Sequence, residues 1–197
     1  NKYGSLASAK TTNHHYNKII TKIDSLTGLV TETKYEIDAD TYIYPQFTVD
    51  LNAVCDYLRK SRAITKFDLY GIDIGAGISL GVGANRTETR KIIVDGPWIS
   101  LEIMKKKMKT VKGKDVVMPF GFDKNLEPLY ACDKARPQLR GVLAIVSPQD
   151  AMIKPDDLKQ LRCITSTYIV AASPSNIDNF STDKNAYFDK VSKFLLQ

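Results

Sequence analysis

Histidine is nearly absent. In 197 residues there are two, and they are neighbours, His14 and His15. Both fall in NKYGSLASAKTTNHHY, which is small, polar and without period, so residues 1–16 read as a flexible arm. A catalytic imidazole must be held within hydrogen-bond reach of its nucleophile. A pair in such an arm argues against Ser-His-Asp and Cys-His catalysis, and against a metal held by histidine and cysteine. Cysteine is scarce too. Cys55, Cys132 and Cys163 are far apart, odd in number and form no CxxC pair. They read as small buried apolar residues of a protein in a reducing, intracellular (cytoplasmic) compartment, not as a zinc site or a disulfide framework. No apolar run approaches the roughly 20 residues of a membrane span. No leader pattern, internal repeat or low-complexity tract is visible.

What is present is ordinary in amount and basic in balance. Apolar residues make up 43% and charged residues 25%, as in most globular domains. The 28 Lys and Arg against 22 Asp and Glu give a net charge of +6. That charge points to anionic partners, either nucleic acid or an anionic membrane surface. The chain closes Phe194-Leu195-Leu196-Gln197, an end that would suit a product cut from a viral polyprotein. Asn85-Arg86-Thr87 and Asn179-Phe180-Ser181 match the glycosylation pattern, but nine asparagines make chance matches expected.

Along the chain, residues 17–23 and 29–37 are rich in β-branched residues and flank a turn ending at Gly28, which predicts a hairpin. Thr41 to Tyr44 reads as a short strand stopped by Pro45. Asp50 reads as the N-cap of a helix to about Ser61, with Leu51, Val54, Cys55 and Leu58 on one face. The stretch from Lys66 to Glu102 organises the rest, with six of the eleven glycines and the one tryptophan. In it, Phe67 to Val82 alternates well enough to predict two or three strands joined by Gly75-Ala76-Gly77. Arg90 to Val94 is another expected strand. An amphipathic helix should follow from Trp98 to Val111, with Leu101, Met104, Met108 and Val111 inward. Residues 115–137 look irregular, Gly141 to Val146 and Ile164 to Ala172 look like strands, and Thr182 to Leu196 looks like a closing helix. The whole predicts a single α+β domain over residues 17–197, with a mostly antiparallel sheet and about three helices.

Two features could carry function. Tyr70-Gly71-Ile72-Asp73-Ile74-Gly75 puts an aspartate at the end of a strand, just before a tight turn. Asp-x-Gly in that place resembles the first phosphate motif of actin-like and sugar-kinase ATPases. It also resembles the first acidic strand of RuvC-like, RNase-H-fold nucleases. The ATPase resemblance implies further motifs over several hundred residues, more than this chain offers. The nuclease resemblance implies that Asp73 binds a catalytic metal, with Glu102, Asp150 and Asp157 available as further carboxylates. The bland alternative is that Asp73 caps backbone.

The second feature is basic. Lys105, Lys106, Lys107, Lys109, Lys112 and Lys114 fall within ten residues, with Arg86, Arg90 and Lys91 upstream. Such charges can neutralise phosphates without reading bases; otherwise they form a solvated helix face. The expectation is therefore a non-enzymatic binding or assembly protein with a basic surface, a viral structural or accessory protein, open to self-association and without a catalytic group, metal or cofactor. The alternatives are the metal-dependent nuclease centred on Asp73 and a protein-binding module.

Overall fold

The computed structural model of the chain describes residues 18–23, 26–28, 30–36, 44–115 and 122–197. The expected arm over 1–16, with both histidines, lies outside the described residues, as do 41–43 of the strand expected from Thr41 to Tyr44, whose last residue is helical instead. Two strands, β1 (Lys18–Ile23) and β2 (Val30–Glu36), pair antiparallel as the predicted hairpin. Gly28 takes the left-handed φ of 67° in its turn. Helix α1 (Tyr44–Arg62) begins six residues before Asp50, with Pro45 in its first turn, where the missing N–H costs nothing.

The remaining strands form one sheet in sequence order: β3 (Phe67–Ile72), β4 (Thr89–Asp95), β5 (Gly141–Val146) and β6 (Ser166–Ile169). Every pairing within it is parallel. Between the strands and after them run α2 (Ile74–Ala84), α3 (Leu101–Lys112), α4 (Pro128–Asp133), α5 (Asn179–Thr182) and α6 (Lys184–Leu196). The expectation of an α+β domain with a mostly antiparallel sheet and about three helices is therefore corrected. The architecture is α/β, with six α-helices among the described residues, and the antiparallel pair is confined to the hairpin.

The physical cause of that difference is α2. Residues 74–84 alternate apolar residues with glycine and serine, a pattern that mimics strands. They form instead a helix that is buried from Ala76 to Ala84, and a helix apolar all round has no polar face to reveal its period. Its glycines are contact points. A Cβ on Gly77 would overlap the Trp98 indole, and one on Gly81 the Leu126 carbonyl. Once 74–84 is a helix, β3 and β4 become a strand–helix–strand crossover and must run parallel.

The sheet separates two apolar layers, as a parallel sheet requires. On one face, Ile92, Val94, Val142, Ala144 and Val146 pack with Ile78, Leu80 and Val82 of α2 and with Leu101 and Met104 of α3. On the other, Ile93, Leu143 and Ile145 pack with Tyr187, Val191 and Phe194 of α6. Cys132 of α4 is disulfide-bonded to Cys163, which ties that helix to the turn before β6, while Cys55 is free and buried. The expectation of three unpaired cysteines is thus corrected for two of them. Among the described residues no helix is long and apolar enough to cross a membrane.

Candidate active site at the strand ends

A parallel sheet delivers the C-terminal ends of all its strands to one edge, and the loops leaving them can converge there. In this chain they do. Asp73 and Ile74 follow β3, Gly96 and Trp98 follow β4, Gln149 to Ile153 follow β5, and Pro174 to Ile177 follow β6. With Met104, Met108 and Lys112 of α3 they enclose a cleft of about 470 Å³.

Asp73 sits at the sharpest point of this edge, between the last residue of β3 and the first of α2. Its backbone is at φ 52°, ψ −117°, a region that side chains other than glycine rarely enter, at a cost of about 1–3 kcal/mol. Two bonds hold it there. The Asp73 N–H donates to the Asp95 carbonyl at 2.8 Å, and the Ala76 N–H donates to the Asp73 carbonyl at 3.0 Å. Gly71 makes the turn possible, because a Cβ there would overlap the Gly75 carbonyl and crowd Ser79 Oγ. The arrangement is Gly-x-Asp-x-Gly on a strained strand-to-helix turn. A nucleophile elbow has this form, usually with serine at its centre, and lifts the central side chain clear of the sheet.

The carboxyl of Asp73 makes no capping bond to α2. Burial raises its pKa above the usual carboxylate value. The nearby backbone N–H of Ile74 pulls it back, the charge of Asp150 raises it further and the charge of Lys112 lowers it. Asp73 and Asp150 thus share one cleft. Asp150 Oδ1 accepts from the backbone N–H groups of Met152 and Ile153 at 2.7 and 2.8 Å, and Oδ2 from that of Asn176 at 2.9 Å. A carboxylate has about four acceptor positions, so three bonds leave one free. Asn176 knits the loops together. Its Oδ1 accepts from Ser147 N at 2.7 Å, and its Nδ2 donates to Ile153 O at 3.1 Å. Gly96, at a left-handed φ of 63°, lies against the same side chain. Trp98 Nε1 donates to Ile74 O at 3.3 Å, bracing the elbow from the side.

Of the residues singled out from the sequence, Asp73 and Asp150 come together, while Asp157 and Glu102 do not join them. Asp157 is paired with Lys107, and Glu102 with Lys106 on the surface of α3. Among the described residues, no three His, Cys, Asp or Glu side chains converge as a metal-ligand set would. The basic residues are engaged in different ways. Arg86 bonds Asp56 and Glu88, Arg90 bonds Asp68, and Lys91 Nζ donates to the carbonyls of Phe194 and Leu195. Lys109 pairs with Asp115, Lys105 and Lys114 are exposed, and Lys112 lines the cleft. The cleft residues Gln149, Ser175 and Asn176 had no signal in the sequence, because loops after strands carry no period. The elbow did have one, in Gly71-x-Asp73-x-Gly75.

No protein-family model matches the sequence, and no curated protein is similar to it. The fold itself has many counterparts. It is α/β-hydrolase-like, with the elbow where that fold places its nucleophile. An esterase of Pyrococcus furiosus superposes with a TM-score of 0.57 at 15% identity, over 82% of this chain. This chain spans 64% of that esterase's length. A carboxylesterase of Nitrososphaera gargenis gives 0.52 at 14% identity, over 83% of this chain and 79% of its own. An esterase of the bacterial hormone-sensitive lipase family gives 0.52 at 17%, over 76% and 58%. These likenesses establish the fold, and they correct the functional expectation. A non-enzymatic nucleic-acid-binding or assembly protein of viral structural type, a metal-dependent RNase-H-like nuclease and a protein-binding module all give way to a body whose counterparts are hydrolases. The physical reason is that Asp73 stands at an elbow above a cleft, and that three of the six lysines, Lys106, Lys107 and Lys109, are held by carboxylates.

Proposed function

We propose that this chain is a hydrolase whose nucleophile is the carboxylate of Asp73. The observation that supports the reading is the backbone of Asp73, held at φ 52° on a strand-to-helix elbow facing the cleft. A carboxylate is already anionic near neutral pH, so it needs no neighbouring base to attack. That suits a cleft whose described residues contain no histidine.

Attack at an acyl carbon would give a reactive anhydride, whereas attack at a saturated carbon gives an ordinary ester. The electrophile is therefore a saturated carbon with a leaving group. An Asp73 carboxylate oxygen forms a bond to that carbon while the bond to the leaving group breaks, and the leaving group departs with the electron pair. Water then adds to the carbonyl of the resulting ester. The backbone N–H of Ile74, the residue after the nucleophile, can turn to hold the oxygen on which negative charge builds. Asp150, with one acceptor position open, takes the proton from the water. Collapse expels the alkoxide, which takes the proton held by Asp150 and leaves as the alcohol, while the Asp73 carboxyl loses the water's second proton to solvent, where it balances the leaving group released in the first step.

The test is turnover of bromohexane and epoxyhexane in water enriched in heavy oxygen, followed by mass spectrometry of the peptide containing Asp73. Nucleophilic attack predicts heavy oxygen in the Asp73 carboxylate itself, because water enters at that carbonyl. Turnover with label only in the product would sink the reading, as would an absence of turnover.

A further inference from the structure

We infer that the substrate of this cleft is an anion, an apolar body ending in a carboxylate or phosphate that Lys112 holds. The inference rests on the reading of Asp73 as nucleophile for the position of the reacting carbon.

Helix α3 presents Met104, Met108 and Lys112 to the cleft. They are spaced by four residues and so lie along one stripe. At 1.5 Å of rise per residue, Lys112 stands about 12 Å along the helix axis from Met104. The cleft wall therefore changes from apolar to cationic along its length, with Trp98 beside the apolar part.

Lys112 differs from its neighbours on the same helix. Lys106 is paired with Glu102, Lys107 with Asp157 and Lys109 with Asp115. Among the described residues, no carboxylate lies within ion-pair distance of Lys112, and the charge that feels it is that of Asp73 in the same cleft. Asp150, the cleft's other carboxylate, is already met by three backbone N–H groups.

The reaction sharpens the point. Once Asp73 becomes an ester it loses its charge, and the cleft no longer offers Lys112 that carboxylate. An anionic group on the substrate supplies that charge through both steps.

Trp98 is the one tryptophan of the chain and lies in the cleft, so its fluorescence reports binding without any reaction. The experiment titrates hexanoate, hexyl phosphate and hexanol into the whole chain and into Lys112→Met at low salt. Circular dichroism checks that the exposed substitution leaves the fold unchanged. At least one of the two anions should bind more tightly than hexanol, and the tighter of the two identifies the head group. Lys112→Met should weaken that anion about fivefold and leave hexanol unchanged. Added salt should weaken the anion alone. Equal binding of all three probes, binding of none, or an anion affinity indifferent to Lys112→Met would overturn the inference.

Isotope labelling separates this inference from the reading it rests on. Label entering Asp73 as fast from neutral bromohexane as from ω-bromohexanoate would sink the anionic substrate and leave the nucleophile standing. Lys112-dependent anion binding without label at Asp73 would do the reverse.

Discussion

Two carboxylates end adjacent strands of the same sheet, and they face different worlds. Asp73 follows β3 and looks into an open cleft, whereas Asp95 ends β4 and is 1% exposed. They are joined through the backbone, since Asp95 O accepts from Asp73 N. Burial raises both pKa values, that of Asp95 to about 6. The donors around them separate the two. Asp95 Oδ2 accepts from the Tyr187 hydroxyl and Oδ1 from Asn179 Nδ2, each at 2.6 Å, and the hydroxyls of Tyr187 and Tyr70 are 2.7 Å apart. Burial also holds the pKa of Tyr187 far above its ordinary value, so its hydroxyl keeps its proton and donates. A carboxylate held by two side-chain donors and sealed from water locks α5 and α6 to the sheet. One without a side-chain cap, on a strained turn above a cavity, is the one the proposed reaction uses. Burial alone does not make a site.

The largest expected effects test that division. Asp73→Asn should lower turnover by about three orders of magnitude or more, yet leave the melting temperature unchanged or raised at neutral pH. Its carboxylate is disfavoured in the folded state, so removing the charge costs no stability. Tyr187→Phe should do the opposite, sparing turnover while costing about 1–3 kcal/mol, because the buried Asp95 carboxylate loses a donor. Thermal denaturation and initial rates on the two variants give both halves. An Asp73→Asn protein that unfolds, or a Tyr187→Phe protein that is stable but inactive, would break the comparison.

A smaller effect follows from pH. The folded pKa of Asp95 lies above its ordinary value of 3.8, at about 6. The folded state therefore binds the proton more tightly than the unfolded chain does. The stabilisation is complete below about pH 4 and is lost as pH rises through about 6. Urea midpoints of the native protein should fall across that window, and in Asp95→Asn the fall should be shallower. A residual slope is expected from Asp73, whose shift has the same sign.

How much of this was legible in the sequence depended on whether a residue's signal was local. β4, β5 and α6 were visible because each buries a continuous or one-faced apolar pattern. The aspartate at the end of β3 was visible for the same reason, since glycine on both sides of it marks a turn. What could not be read was the partner of each element. Ile74 to Ala84 satisfies a strand's alternation and a buried helix equally well, and only Trp98, Leu126 and Ile92 pressing on its glycines decide for the helix. That one choice makes the β3–β4 pairing parallel. Asp150 was noticed as a carboxylate, but 77 positions separate it from Asp73 in the sequence, and only the parallel sheet brings the two strand ends together. The disulfide is the same case: Cys132 and Cys163 are 31 residues apart, and nothing local joins them.

The smallest effects belong to the lysines of α3, where neighbours in sequence differ in what they hold. Lys106 and Glu102 are an i, i+4 pair with side chains 73% and 75% exposed. Water screens such a pair, so Lys106→Ala should move stability by no more than about 0.5 kcal/mol and leave turnover alone. Lys107 is mostly covered, as is its partner Asp157, and its Nζ also donates to Met152 O at 2.6 Å. Met152 follows β5 in the wall of the cleft, and Asp157 Oδ2 also accepts from Lys154 N. Lys107 therefore ties α3 to the segment that carries Asp150. Lys107→Ala should cost about 1–2 kcal/mol and raise KM more than it lowers kcat, because the wall loosens while the elbow stays. If Lys106→Ala and Lys107→Ala prove indistinguishable in both melting temperature and KM, the strand-end cleft does not depend on α3 for its shape.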